Sequence, residues 1–186
     1  MVKTLYIMCG IPGSGKSWYA KNILMNEHTV YISRDEVRFA MLKDSDDYFD
    51  KEDQVFCSFV NQINYALGAE DNIDAVIADA THLNWPSRRK LLNALTHRNI
   101  KIIPVWMNTP FSTCKTWNEQ RGGRAVVPVS VLNRMEHSKE HPIADPCEYD
   151  GILEVENQMD LSIIPAEEGI NIQKEFLQNW HEEDET

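Results

Sequence analysis

Apolar residues along this chain follow two rhythms that alternate. Leu5 to Cys9 is an apolar run of strand length that opens directly into GIPGSGKS, and KSWYAKNILMN behind it has helical spacing. Thr29 to Ile32 predicts a second strand, and Ser33 followed three residues later by Glu36 is a capping box that would start a helix there. Residues 43 to 52, KDSDDYFDKE, are polar and predict a loop. Val55, Phe56, Phe59, Val60, Ile63, Ala66 and Leu67 then recur at the period of a buried helix face, a stripe that predicts core and implies no cofactor. Ala75 to Ala78 is a third strand. SRRKLLNALTHR behind Pro86 reads as a helix that accepts proline in its first turn, Lys101 to Met107 as a fourth strand, and about Phe111 to Gln120 as a further helix. Strands and helices alternating in this way predict an α/β fold, a parallel sheet with helices on both faces. No internal repeat or low-complexity block interrupts it.

Composition narrows the class. A chain of 186 residues with 42% hydrophobic content, five Trp, six Tyr and six Phe suits one folded domain with a substantial core. Its longest apolar runs fall short of the roughly 20 residues a membrane span needs, and no basic region precedes an apolar signal core at the N-terminus, so a cytoplasmic location is expected. Cys9, Cys57, Cys114 and Cys147 lie far apart without a CxxC pair and read as reduced thiols. His137 and His141 have the spacing of a helical metal pair but no HExxH motif, and read as a solvated helix face.

The formal charge of −11 is unevenly placed. From Pro142 to Thr186 there are 13 Asp and Glu against one Lys, so residues 1 to 141 carry 17 Lys and Arg against 16 Asp and Glu, a net of +1. That body lacks the broad basic stripe needed to grip a duplex along its length. A pocket for one phosphorylated end needs only a few arginines. The final HEEDET reads as a solvated tail.

The strongest chemical signal is Gly10-Ile-Pro-Gly-Ser-Gly-Lys16-Ser17, a full GxxxxGK(S/T) match with a strand before it and a helix after it. In such a loop the backbone N–H groups of Gly10, Pro12's neighbours, Gly13, Ser14 and Gly15 turn inward around phosphate oxygens. Lys16 reaches the β and γ phosphates and Ser17 offers its hydroxyl to Mg²⁺. This predicts ATP and Mg²⁺ as cofactors. Ligands of open α/β sheets bind beyond the carboxyl ends of the strands, where the second strand delivers Arg34, Asp35 and Arg38 and the third delivers Asp79, Thr81 and His82. Asp35 and Arg38, three apart on a helix, share a face: one can touch an acceptor hydroxyl while the other neutralises charge. The bland alternative leaves Asp35 decorating a helix start. Asp79, closing AVIAD, resembles a Walker B acid that holds Mg²⁺; a turn-forming Asp is the alternative.

GIPGSGKS, SRDEVR, DATHLN and RGGRAVVPVSVLNRM, in this order and at these intervals, resemble the kinase domain of phage and animal polynucleotide 5′-kinases, a branch of the adenylate-kinase-like P-loop kinases. The likeness runs from residue 3 to about 155, where EYDGILEV is similar to the closing strand. It implies that Asp35 is the general base on a 5′-hydroxyl, with Lys16 and Arg121 as the other catalytic groups. Arg38 would contact the acceptor's phosphate, and Arg34 and Thr81 join it as acceptor-binding candidates. Arg121 and Arg124 would reach the nucleotide from a small helical lid over about residues 117–130, which two glycines leave free to close. Trp117 stands where the family often has a further lid arginine and can stack on a base. His82 replaces an Asn of the family, AVVP is one residue longer than its usual pattern, and no DxDxT segment of a companion phosphatase follows.

The expected layout is a kinase domain over residues 1–155 and an acidic extension over 156–186, packed in part on that domain, with GINIQKEFLQNW a candidate helix. The expected activity is transfer of the γ-phosphoryl group of ATP to a nucleic acid 5′-hydroxyl end, short or single-stranded. The alternatives are a P-loop kinase acting on a nucleoside, nucleotide or antibiotic, and a non-catalytic ATP-binding module.

Overall fold

Five strands carry the architecture: β1 (Lys3–Cys9), β2 (Thr29–Ser33), β3 (Ala75–Asp79), β4 (Ile100–Asn108) and β5 (Leu153–Glu156). In the computed structural model, which describes residues 2–43, 46, 50–69, 72–147 and 149–156, they form one parallel sheet in the order β2-β3-β1-β4-β5. The helices between them are α1 (Lys16–Tyr19), α2 (Arg34–Met41), α3 (Glu52–Gly68), α4 (Trp85–Ala94), α5 (Phe111–Glu119) and α6 (Val129–Ser138).

Helices cover both faces, which is why the inner strands read as unbroken apolar runs. All five residues of β3 are buried. On one face Leu5, Ile7, Cys9, Val76, Ala78 and Trp106 pack against Phe59, Val60, Ile63, Ala66 and Leu67 of α3 and Leu91 of α4, the stripe expected of core. On the other, Met8, Ile77, Val105, Met107 and Val155 pack with Tyr19 and Ala20. The alternation within β1, with Ile7 and Cys9 on one side and Met8 on the other, follows from the two-residue strand period.

Several expectations are corrected. KSWYAKNILMN is not one α-helix: after Tyr19 the chain widens into a π-helical turn over Ala20–Leu24 and is extended by Met25. α4 stops at Ala94, four residues before Arg98, because Leu95 must turn into the core, where it is buried. Asn64 stabilises that end, its Nδ2 donating to Ala94 O at 3.1 Å while Thr96 N–H donates to its Oδ1 at 3.0 Å. RGGRAVVPVSVLNRM holds the start of the helix α6, which begins behind Pro128 and ends at Ser138, three residues past that stretch. His137 lies on its last turn, whereas His141 is outside any helix and packs edge-on against the Trp106 ring at 5.1 Å, so the two do not share a helix face. Lys51 in the polar stretch takes a left-handed conformation at the start of α3. The four cysteines are free thiols, as read. The acidic extension beyond Glu156, with its candidate helix and HEEDET, lies outside the described residues. No helix among the described residues is long and apolar enough to cross a membrane.

The parallel register positions the site. Met8 stands opposite Asp79, and Asp79 opposite Ser33, so the ends of β1, β2 and β3 open onto one edge of the sheet.

Candidate active site

The phosphate loop leaves β1 and is bonded into the sheet edge on both sides. Gly10 N–H donates to Thr81 O at 2.9 Å, and Thr109 Oγ1 donates to Ser14 O at 2.8 Å. Two glycines are obligatory by geometry. Gly13 has φ 80°, and a Cβ there would stand 2.2 Å from the Cys114 carbonyl oxygen; Gly15 has φ 86° as the N-cap of α1. The Trp117 ring lies across the loop, with Cζ3 3.3 Å from where a Gly15 Cβ would be. Ser14 Oγ is buried without a hydrogen-bond partner among the described residues. A bare cradle of backbone with an orphaned hydroxyl fits a polyanion such as a nucleotide's phosphates.

Lys16 is buried, and its Nζ donates to Ile11 O at 2.8 Å. Burial pushes its pKa below the usual lysine value, Asp79 and Asp35 act in the opposite sense, and Arg121 lowers it further. The ammonium therefore sits among the groups singled out from the sequence. Ser17 Oγ donates to Asp79 Oδ2 at 2.6 Å, and Tyr31 OH donates to the same oxygen at 2.6 Å. A hydroxyl and a carboxylate side by side at the helix start are oxygen donors of the kind a hard cation takes beside phosphate oxygens, so the residues present fit Mg²⁺.

α2 begins at the predicted serine, but the capping box is only half formed: Ser33 Oγ accepts from Glu36 N–H at 3.3 Å, while the Glu36 carboxylate turns to Lys21 Nζ at 2.9 Å. Asp35 on its first turn is half exposed and lines a cavity of about 510 Å³ that also takes in Lys16, Ser17, Asp79, Thr81 and Arg121. Arg38 is only 5% exposed. Its Nη1 donates to Asp35 Oδ1 at 2.7 Å and its Nη2 to Glu52 Oε2 at 2.7 Å, while Arg34 Nη2 donates to the other Glu52 oxygen. Arg34 and Arg38 are thus both held by one carboxylate from the first turn of α3. Phe39 and the stretch Val126 to Pro128, with Val131 and Met135 of α6, give the cavity an apolar wall.

Arg121 Nη1 reaches Ala125 O at 3.4 Å, and Gly122 and Gly123 beside it meet no atoms within 4 Å of an added Cβ. Arg124 falls on the short 3₁₀ turn Gly123–Ala125, its side chain outside the described residues. His82 is buried beneath the loop with φ 38°, and its Nδ1–H donates to Met8 O at 3.0 Å; burial pushes its imidazole down to about 4. It is a neutral post under the crevice floor. Behind it the fully buried Arg88 donates from Nη1 to His82 O at 2.9 Å and forks onto Asp145 through two bonds of 2.6 Å.

Sequence reasoning missed Glu52, Tyr31 and Arg88. Nothing in the pattern around Glu52 ties it to residues 14 and 18 positions earlier. Tyr31 was accessible: it sits two residues before Ser33 on a strand and so faces the same side.

A parallel sheet in this strand order, a phosphate loop leaving its central strand and a carboxylate ending the neighbouring one define a P-loop kinase domain. The chain belongs to the family described as an AAA domain, whose model matches residues 5–142. No curated protein matches it. Among solved structures it is similar to a chain of a Pnkp1/Rnl/Hen1 RNA repair complex, with a TM-score of 0.58 and 23% identity over 74% of this chain. The match spans only 44% of that chain's length. A fungal RNA kinase gives a TM-score of 0.57 and 13% identity, covering 86% of this chain and 77% of that one. A gluconokinase from Sinorhizobium meliloti gives 0.52 and 17%, covering 87% and 86%. Identities this low establish a shared fold.

Proposed function

We propose that the chain transfers the γ-phosphoryl group of ATP to the 5′-hydroxyl end of a polynucleotide. The observation that carries this reading is one cavity of about 510 Å³ lined by Asp35 together with Lys16, Ser17, Asp79 and Arg121. Asp35 takes the proton of the attacking hydroxyl as the new oxygen–phosphorus bond forms, and the bond from the γ-phosphorus to the β–γ bridging oxygen breaks to release ADP. Lys16 and Arg121 neutralise charge on the transferring group. Ser17 and Asp79 would hold Mg²⁺, which when bound adds charge neutralisation at the phosphate oxygens. Arg34, Arg38 and Thr81 orient the acceptor, and Phe39, Val126, Pro128 and Val131 offer apolar lining to its terminal nucleoside. The glycines at 122 and 123 suit a lid over about 117–130 that brings Arg121 inward. The kinase unit would then be residues 1–155, closed by β5. The similarity to an RNA kinase and to an RNA repair complex supports the same acceptor class.

One observation favours a second reading, a small hydroxylated acceptor. Asp35 and Glu52 match Arg34 and Arg38 charge for charge, so the acceptor wall has no surplus for an anion. The likeness to a gluconokinase points the same way.

Transfer of label from γ-labelled ATP to a panel of acceptors separates the readings. Label on oligonucleotides bearing a 5′-hydroxyl is the expected result. Label on nucleosides or sugars alone overturns the first reading in favour of the second. Nucleotide binding without transfer to any acceptor returns the chain to a non-catalytic ATP-binding module.

A further inference from the structure

Tyr31 reaches the site from β2, where the register places it beside Ile77, two residues before Asp79. Its hydroxyl donates to Asp79 Oδ2 at 2.6 Å, the oxygen that also accepts from Ser17 Oγ at 2.6 Å. A serine that ligates a cation uses an oxygen lone pair and keeps its proton, which then needs an acceptor; Oδ2 is that acceptor. Two donors on one oxygen fix the rotation of the carboxylate and with it the direction of Oδ1. The phenol is itself held: Lys21 Nζ sits 4.6 Å from the ring centroid and is anchored by Glu36 at 2.9 Å.

We propose that Tyr31 is a positioning residue for the divalent cation, acting through Asp79 to set the affinity for Mg²⁺ and not the affinity for the nucleotide. This rests on the reading of Ser17 and Asp79 as the residues that hold the metal. Partners that orient a metal-binding carboxylate contribute substantially to metal affinity without touching the ion.

The test compares the full chain with Tyr31→Phe, which keeps the ring and removes only the hydroxyl. Calorimetry follows binding of a non-hydrolysable ATP analogue in chelator and across a series of Mg²⁺ concentrations. The analogue should bind both proteins equally in chelator, and the variant should need about tenfold more Mg²⁺ for the half-maximal enhancement of binding. Equal Mg²⁺ half-points would overturn the proposal, as would a loss of analogue affinity that is the same with and without metal, the signature of disturbed packing. If the wild-type chain binds the analogue without any Mg²⁺ response, the metal reading of Ser17 and Asp79 fails with it. If the metal response is present and oligonucleotides are not phosphorylated, only the acceptor assignment fails. Circular dichroism establishes the fold. Should Tyr31→Phe not fold, Lys21→Met releases the ring and leaves the hydroxyl, and is expected to raise the Mg²⁺ requirement about two- to fivefold; no rise would overturn the proposal.

Discussion

A half-exposed carboxylate and a buried guanidinium share one turn of α2, and their division of labour can be tested residue by residue. Asp35 lines the cavity and touches Arg38 Nη1 at 2.7 Å, so its side chain is oriented without being enclosed. Asp35→Ala should lower kcat by about 10² to 10⁴ while leaving the affinity for an ATP analogue nearly unchanged, as read by single-turnover kinetics and calorimetry. Unchanged turnover would return Asp35 to the decoration of a helix start. His82 makes a different prediction. Its imidazole is held near pKa 4 by burial, below the ordinary value of 6.5. The folded chain therefore binds fewer protons at this site than the unfolded one between those two values. The stability this neutral ring contributes is complete above pH 6.5 and is lost as pH falls toward 4, by about 3 kcal/mol in total. His82→Asn, which can still donate to Met8 O, should flatten that part of the profile in urea denaturation midpoints measured across pH. A wild-type curve parallel to the variant's would refute the assignment.

At the scale of elements, α2 is joined to α3 by Glu52, whose two oxygens receive Arg34 and Arg38. One carboxylate thus ties the start of α3 to two arginines of α2, and on the proposed function these are the groups that meet the acceptor. Glu52→Gln keeps the shape and removes the charge. We expect the KM for the acceptor to rise about tenfold or more with the KM for ATP little changed, and faster amide exchange along α2, because a buried arginine left short of its counter-charge moves to find water. Equal changes in both KM values would show that Glu52 serves the whole fold. The start of α2 was legible because a capping serine and acidic first-turn residues are local signals, and α3 because its apolar positions repeat. The tie between them was not, since the hydrogen bonds of Glu52 cross 14 and 18 residues and leave no period in the sequence. α6 is a different case: among its residues only Leu132 is buried, while Val131 and Met135 of the same apolar side line the cavity and not the core. α4 ended early because tertiary contacts at Leu95 and Asn64 outweighed a helical spacing that continued.

For the molecule as a whole, Arg88 and Asp145 close the fold. The pair is fully buried, spans 57 residues, and ties the segment after α6 to the floor of the crevice through His82 O. Tyr149 OH adds a bond of 2.5 Å to Asp145 Oδ2. Breaking such a pair leaves a cation in a dry interior. Asp145→Asn should therefore cost about 3 to 5 kcal/mol of stability, measured by chemical denaturation, with the phosphate loop as the first region to lose protection in amide exchange. A loss of stability that spares the loop would remove the link between this pair and the site.

Local order was readable from sequence alone: strands and helices in alternation, a phosphate loop with its flanking elements, and the residues that follow each strand, because each of these is encoded within about a turn or a strand length. The order of strands in the sheet, the pairing of Glu52 with Arg34 and Arg38, and that of Asp145 with Arg88 were decided only in three dimensions. They depend on contacts between residues tens of positions apart, and side-chain periodicity carries no record of which distant partner a charge will meet.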